Sequence, residues 1–156
     1  MKELSKIAIK VNPSTTLAID SLAKQMKADG LDVIGFGTGE PDFMTPENIS
    51  EAGISAIREG KTKYTPAAGI IPLRKAAAER LKADCGLDYD YTQIVIASGA
   101  KHNVYVSLAV LLNPGDEVIV PAPYWVSYCE MVSMCGGVPV VVERTEAADF
   151  KMTAEE

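Results

Sequence analysis

Four stretches of this chain carry residue types that could do chemistry. Ser98-Gly99-Ala100-Lys101 joins an apolar run, Ile94 to Ala97, to a helical pattern. A small-residue turn that opens a helix points backbone N–H groups outward, and the helix dipole favours an anion there. Small side chains let the backbone approach a phosphate closely. Lys101 adds a charge able to reach a phosphate or a substrate carboxylate. The GxxxxGK(S/T) pattern of a P-loop is missing, and a plain tight turn between strand and helix would read the same way. Tyr124-Trp125 directly follows the next apolar run. The indole of Trp125, the one tryptophan of the sequence, can stack on a flat heteroaromatic ring; a core or dimer-interface tryptophan fits the spacing equally well.

The other two stretches are loops. In GFGTGEPDF, residues 35–43, glycines alternate, but Glu40 stands where the GxGxxG dinucleotide pattern requires glycine. Such a loop can instead present main-chain N–H groups to a carboxylate, or serve as a flexible connector. In KTKYTPAAG, residues 61–69, the phenol of Tyr64 can donate to an anion or simply pack. Glu40, Asp42 and His102 have acid–base chemistry, yet nothing pairs them into a dyad or triad, so no catalytic role is assigned to them.

Elements that must position these turns follow from local punctuation. Residues 1–14 read as an extended arm whose Leu4, Ile7, Ile9 and Val11 could lie against another surface. Ser14 or Thr15 caps a helix with Ala18, Leu22 and Met26 on one side, stopping at Gly30. Residues 32–36 form a short strand. Thr45 caps the next helix, with Pro46 at its first position and Gly60 past its end. A helix carrying Leu73, Ala76, Ala77, Arg80 and Leu81 runs to about Asp84. Ile94–Ala97 is a fully apolar strand, a helix spans Ala100–Leu112, and Asn113-Pro114-Gly115-Asp116 turns the chain into a strand at Val118–Val120. A helix over Val126–Cys135 and a strand over Val138–Val142 complete a βαβαβ order, which predicts an α/β fold with parallel strands. Both chemistry-bearing turns, Ser98–Lys101 and Tyr124-Trp125, would then lie at the C-terminal edge of neighbouring strands, where open α/β sheets bind ligands.

Composition narrows the partners. With 156 residues, 47% hydrophobic and 23% charged, the chain matches an ordinary globular domain. A net charge of −6 with scattered Lys and Arg disfavours nucleic acid. The apolar stretch Val104–Leu112 is too short to span a bilayer, and the first 14 residues lack a secretory pattern. Three cysteines without a CxxC pair and a single histidine predict no metal site. These features suit reduced thiols in a cytoplasmic protein. FKMTAEE looks like the cap and first turn of a helix starting at Thr153. The chain stops where that helix should begin, which reads as a truncated polypeptide, a split gene product or a proteolytic fragment.

Taken in order, VNPSTTLAID, GTGEPDF, KYTPAAGI, SGAK and PAPYWVSY resemble the aminotransferase class I/II family, which uses pyridoxal 5′-phosphate (PLP). The likeness is strongest to bacterial aspartate aminotransferases. It is colinear over the whole chain and covers the N-terminal part of a family member. The resemblance implies the fold of PLP-dependent transferases of type I, with residues 1–30 as arm and first helix and 31–156 as the start of the PLP-binding large domain. It implies that Gly99, Ala100 and Lys101 hold the cofactor phosphate and that Trp125 stacks on the pyridine ring. Gly39 would offer its N–H to the substrate α-carboxylate, and Lys101 would also read the distal carboxylate of an acidic substrate. Tyr64 would reach the partner's cofactor phosphate in a homodimer, onto which the arm would also cross.

His102 departs from the glutamine common at that place. The family's Schiff-base lysine, the Asp facing the pyridine nitrogen, the Asn near the ring oxygen and the Arg for the α-carboxylate all match positions beyond this chain. The expected reaction is therefore transfer of an amino group from aspartate to a 2-oxo acid such as 2-oxoglutarate, with prephenate a related acceptor. The 156 residues alone are expected to be inactive and to self-associate or pair with a companion C-terminal piece. Another fold-type I PLP enzyme, such as a lyase, and a non-catalytic dimerisation or binding module are the alternatives.

Overall fold

The computed structural model describes residues 3–37 and 39–154. In chain order the elements are α1 (Lys6–Lys10), α2 (Thr15–Ala28), α3 (Glu47–Arg58), α4 (Ile71–Cys85), α5 (Ala100–Leu111), β1 (Glu117–Ala122), α6 (Ser127–Met134) and β2 (Val138–Glu143), with 3-10 turns at Tyr91–Gln93 and Glu146–Ala148. The chain falls into two compact units, Met1–Gly39 with Val104–Glu156, and Glu40–Asn103.

The first unit holds the sheet. β1 and β2 pair in parallel, from Glu117 opposite Val138 to Ala122 opposite Glu143. α6 makes the crossover that two parallel strands require. Alternation along β1 turns Val120 and Ala122 inward, where they are buried with Met131 and Val132 of α6, while Ile119 points outward. Upstream, Asp116 Oδ2 accepts from the Asn113 backbone N–H at 2.7 Å and from Asn113 Nδ2 at 3.2 Å. That closes the Pro-Gly turn and aims the chain into β1. Val138 N–H donates to Asp116 O at 2.8 Å, starting the strand pairing one residue before β1. A Cβ on Gly137 would meet Leu112 Cδ1 and Val132 Cγ1, each at 2.9 Å, so only glycine lets the turn into β2 lie this close to the core.

The arm differs from the extended segment expected. Ser5 Oγ accepts from the Ala8 N–H at 3.1 Å, and this cap starts a five-residue helix, α1. Beyond it, Asn12 grips α6 with two donors: its N–H lies 3.3 Å from Glu130 Oε2 and its Nδ2 lies 3.0 Å from Glu130 Oε1. α2 is capped by Ser14, whose Oγ accepts from the Leu17 N–H at 3.4 Å.

Two expected strands do not form. Residues 32–36 run without strand structure. The stretch lies against α2 instead: a Cβ on Gly37 would sit 3.1 Å from Ile19 Cγ2, and one on Gly35 would sit 3.9 Å from Ala23 Cβ. Ile94–Ala97 is likewise outside any sheet. A strand exists only where a neighbour completes its ladder, and this segment's backbone bonds go to the Tyr91 and Ala68 carbonyls, the Gly99 N–H and an arginine side chain. The observed parallel order is therefore βαβ, and the α/β class stands on a partial sheet.

In the second unit, α3 begins one residue later than expected. Pro46 is its cap, because the Pro46 carbonyl accepts the first helical bonds, from Ile49 N–H at 3.0 Å and Ser50 N–H at 3.1 Å. The helix expected from Thr153 is absent at Thr153 and Ala154, and its remaining positions lie outside the described residues. Among the described residues no helix is long and apolar enough to cross a membrane.

Candidate functional site

The Ser98–Lys101 turn opens α5 as the sequence suggests, but an irregular segment rather than a strand leads into it. Gly99 has φ +83°, a left-handed conformation that glycine adopts without strain, and it reverses the chain into α5. The helical ladder starts with Asn103 N–H donating to the Gly99 carbonyl at 3.4 Å, so the Ala100 and Lys101 N–H groups precede it, while the Gly99 N–H donates to the Ala97 carbonyl at 2.9 Å. Nothing lies within 4 Å of where a Gly99 Cβ would stand. Gly99, Ala100 and Lys101 are all exposed. An open, positively polarised turn of this kind fits a phosphate, whose oxygens need donors and room.

Trp125 stands in the turn between β1 and α6, after the cis Ala122–Pro123 peptide. It packs against Tyr128 edge to face, with ring centroids 5.5 Å apart and planes at 88°. The Tyr128 N–H donates to the Trp125 carbonyl at 3.0 Å and fixes the turn. Trp125 keeps 42% of its surface exposed, enough to meet a flat ring. Beside it, the Tyr124 phenol titrates above the ordinary tyrosine range. The main cause is a hydrogen bond with the Cys129 thiol, followed by Cys129's charge, burial and the Glu143 carboxylate.

Tyr64 is fully exposed, in a shallow recess lined by Thr62, Lys63, Tyr64 and Thr65 of its own loop. Gly39 is also open, with nothing within 4 Å of an added Cβ. This separates it from Gly35 and Gly37, which serve packing on α2. Gly99, Ala100, Lys101 and Tyr64 belong to the second unit; Gly39 and Trp125 belong to the first. Among the described residues no group of three or more His, Cys, Asp or Glu could hold a metal ion.

Sequence reasoning missed Arg74. On α4 the half-buried positions are Arg74, Ala77, Ala78 and Leu81. This is an i, i+3, i+4, i+7 face with an arginine at its head. Leu73, the residue that looked apolar, is exposed. The helical period was readable, but its phase was masked by the charge of Arg74.

Comparison with solved structures defines the class. The chain superposes on the aspartate aminotransferase from Thermus thermophilus with maleate at TM-score 0.95 and 41% identity, covering 99% of this chain and 41% of that one. The aspartate aminotransferase from Rhizobium meliloti gives 0.92 at 39% identity, with 99% and 39% covered. The architecture is thus that of the N-terminal part of the PLP-dependent transferases of fold type I.

The family follows from sequence. The model of aminotransferase class I and II matches residues 31–156, and the chain belongs to that family. It is 52% identical to the aspartate aminotransferase of Bacillus sp. strain YM-2, over 100% of this chain and 40% of that protein. It is 49% identical to a probable aspartate/prephenate aminotransferase of Rhizobium leguminosarum bv. phaseoli, over 99% and 38%. The chain spans about 40% of the length of these relatives.

Proposed function

We propose that the protein carrying these residues is a PLP-dependent aminotransferase that moves the amino group of aspartate to a 2-oxo acid, 2-oxoglutarate first. The observation that carries this reading is the open left-handed turn at Gly99, at the head of a 12-residue helix, in a chain of this family. Relatives named aspartate aminotransferases over the whole of this chain support the choice of donor.

In this reading the Gly99-Ala100-Lys101 turn holds the cofactor phosphate, through the Ala100 and Lys101 N–H groups with the α5 dipole behind them. Trp125 lies on one face of the pyridine ring and fixes its plane. Gly39 donates its N–H to the substrate α-carboxylate. Lys101 places its ammonium toward the distal carboxylate of an acidic substrate, which selects aspartate over a neutral amino acid. PLP supplies the carbonyl that takes the amino group and the ring that draws electrons from the substrate's α-carbon. The family's catalytic lysine is not matched within these motifs, so what these residues contribute is binding and orientation. Tyr64, fully exposed, suits a role across a homodimer, on the phosphate held by a second copy. Residues 1–30 act as arm and first helix, and 31–156 as the start of the cofactor domain. Three free cysteines suit a reducing, cytoplasmic location.

The test is glutamate formation from aspartate and 2-oxoglutarate by the protein that carries these residues. Activity should vanish when PLP is stripped and return when it is added back. Transfer that persists without PLP, or that ignores aspartate while neutral amino acids react, would contradict the reading.

A further inference from the structure

The segment that delivers the Gly99 turn has no strand neighbour among the described residues, so something else must hold it in place. Two contacts do so, both within the second unit. Arg74 Nε donates to the Ile94 carbonyl at 2.8 Å, in a half-buried setting. Ile96 N–H donates to the Ala68 carbonyl at 3.1 Å. The backbone of Gly69 presses on the same residue, since a Cβ there would lie 2.9 Å from Ile96 Cβ. Together these contacts fix the direction in which the chain enters Ser98–Lys101.

Arg74 does more than close one bond. Its guanidinium carbon lies 5.4 Å from the centroid of the Tyr91 ring. Tyr91 opens the 3-10 turn Tyr91–Gln93, which is locked by a capping box: Asp90 Oδ1 accepts from the Thr92 N–H at 2.9 Å, and Asp90 N–H donates to Gln93 Oε1 at 3.0 Å. Arg74 therefore meets the chain on both sides of Gln93, through the Ile94 carbonyl and the Tyr91 ring, which Lys75 Nζ also approaches at 5.3 Å. A guanidinium can donate in its plane while its face covers an aromatic ring; an ammonium offers no such plane.

Ala68, Gly69 and Arg74 lie within seven residues of one another in the chain, and Ala68 belongs to the loop that carries Tyr64. The stretch from Tyr64 to Arg74 is thus tied at two points to the stretch that ends in Gly99. We propose that Arg74 is a positioning residue for phosphate binding. It holds the Ile94–Ala97 segment, whose Ala97 carbonyl accepts from the Gly99 N–H at 2.9 Å, so that the Ala100 and Lys101 N–H groups converge, and it keeps the Tyr64 loop in fixed relation to them. This rests on the functional reading above and deepens it. Arg74 touches no ligand in this account; it acts through the backbone it holds.

The experiment compares the affinity of the apoprotein for PLP with its affinity for pyridoxal, which lacks the phosphate. Arg74→Ala and Arg74→Lys are measured beside the unaltered protein. Both variants should bind PLP about tenfold more weakly, the scale of one lost charge-assisted hydrogen bond. Their affinity for pyridoxal should stay within about twofold, because only the phosphate contacts are disturbed. A general structural defect would weaken both ligands alike, and that outcome overturns the proposal. Full PLP affinity in Arg74→Lys would also overturn it, since charge without the planar grip would then suffice. If Arg74→Ala does not fold, the lysine variant decides by the same ratio. Failure of the unaltered protein to take up PLP would overturn the functional reading, and this inference with it.

Discussion

Gly69→Ala is expected to lower the unfolding free energy by about 3 kcal/mol, the largest loss of any glycine-to-alanine change in the second unit. Two independent costs combine. Gly69 has φ +96°, and an L-residue held at positive φ pays about 1–2 kcal/mol. The added Cβ would also stand 2.9 Å from Ile96 Cβ and 3.0 Å from Ile96 Cγ1. These atoms sit at the branch of a stiff side chain, so the backbone must move, and overpacking of this kind costs about 1–3 kcal/mol. Urea unfolding read by circular dichroism measures the shift. A loss below about 1 kcal/mol would mean that the Gly69–Ile96 contact is not part of the folded frame.

Gly99→Val is expected to act mainly on the cofactor. The backbone cost at φ +83° is of the same order, about 1–2 kcal/mol, but no atom lies within 4 Å of the new Cβ, so no clash adds to it. The branched side chain instead fills the open space in front of the first turn of α5. A phosphate kept from two of its N–H donors loses on the order of 3 kcal/mol, roughly a hundredfold in PLP affinity. Gly99→Ala serves as the control, since it carries the strain with less bulk and should bind better than the valine variant. If Gly99→Val is destabilised yet binds PLP as tightly as the unaltered protein, the turn is not where the phosphate goes.

The contrast between these two glycines shows what can be read from sequence. Gly99 stood out because small residues between an apolar run and a helix have a chemical use. Gly69 looked like loop punctuation, and only the approach of Ile96 reveals that it carries packing. Helices α2, α3, α5 and α6 were legible because their ends are marked locally, by Ser14, Gly30, Gly60, Gly99 and Gly136-Gly137, and α4 by its spacing. β1 and β2 were legible because the Asn113–Asp116 turn and Gly136-Gly137 bracket short β-branched runs.

Ile94–Ala97 and residues 32–36 were not legible as what they are. Their composition suits a strand, but composition cannot supply a neighbour, and each spends its contacts elsewhere, on Ala68 and Arg74 or on α2. α1 was missed because five residues carry too little periodicity to stand out beside Asn12-Pro13, although Ser5 marked its start. Arg74 was missed because a charged residue at the head of an inward face reads as solvent-facing. The proposed site rests on motifs read in order, SGAK for a phosphate, PAPYWVSY for a ring and GTGEPDF for a carboxylate. Its supporting frame was not legible.

The most direct measurement is a crystal structure of the protein that carries these residues with PLP bound. Phosphate oxygens are expected within about 3 Å of the backbone N–H groups at Ala100 or Lys101, beside Gly99, and the pyridine ring against the face of Trp125. A phosphate seated anywhere else, with the Gly99 turn in contact with solvent only, would contradict it.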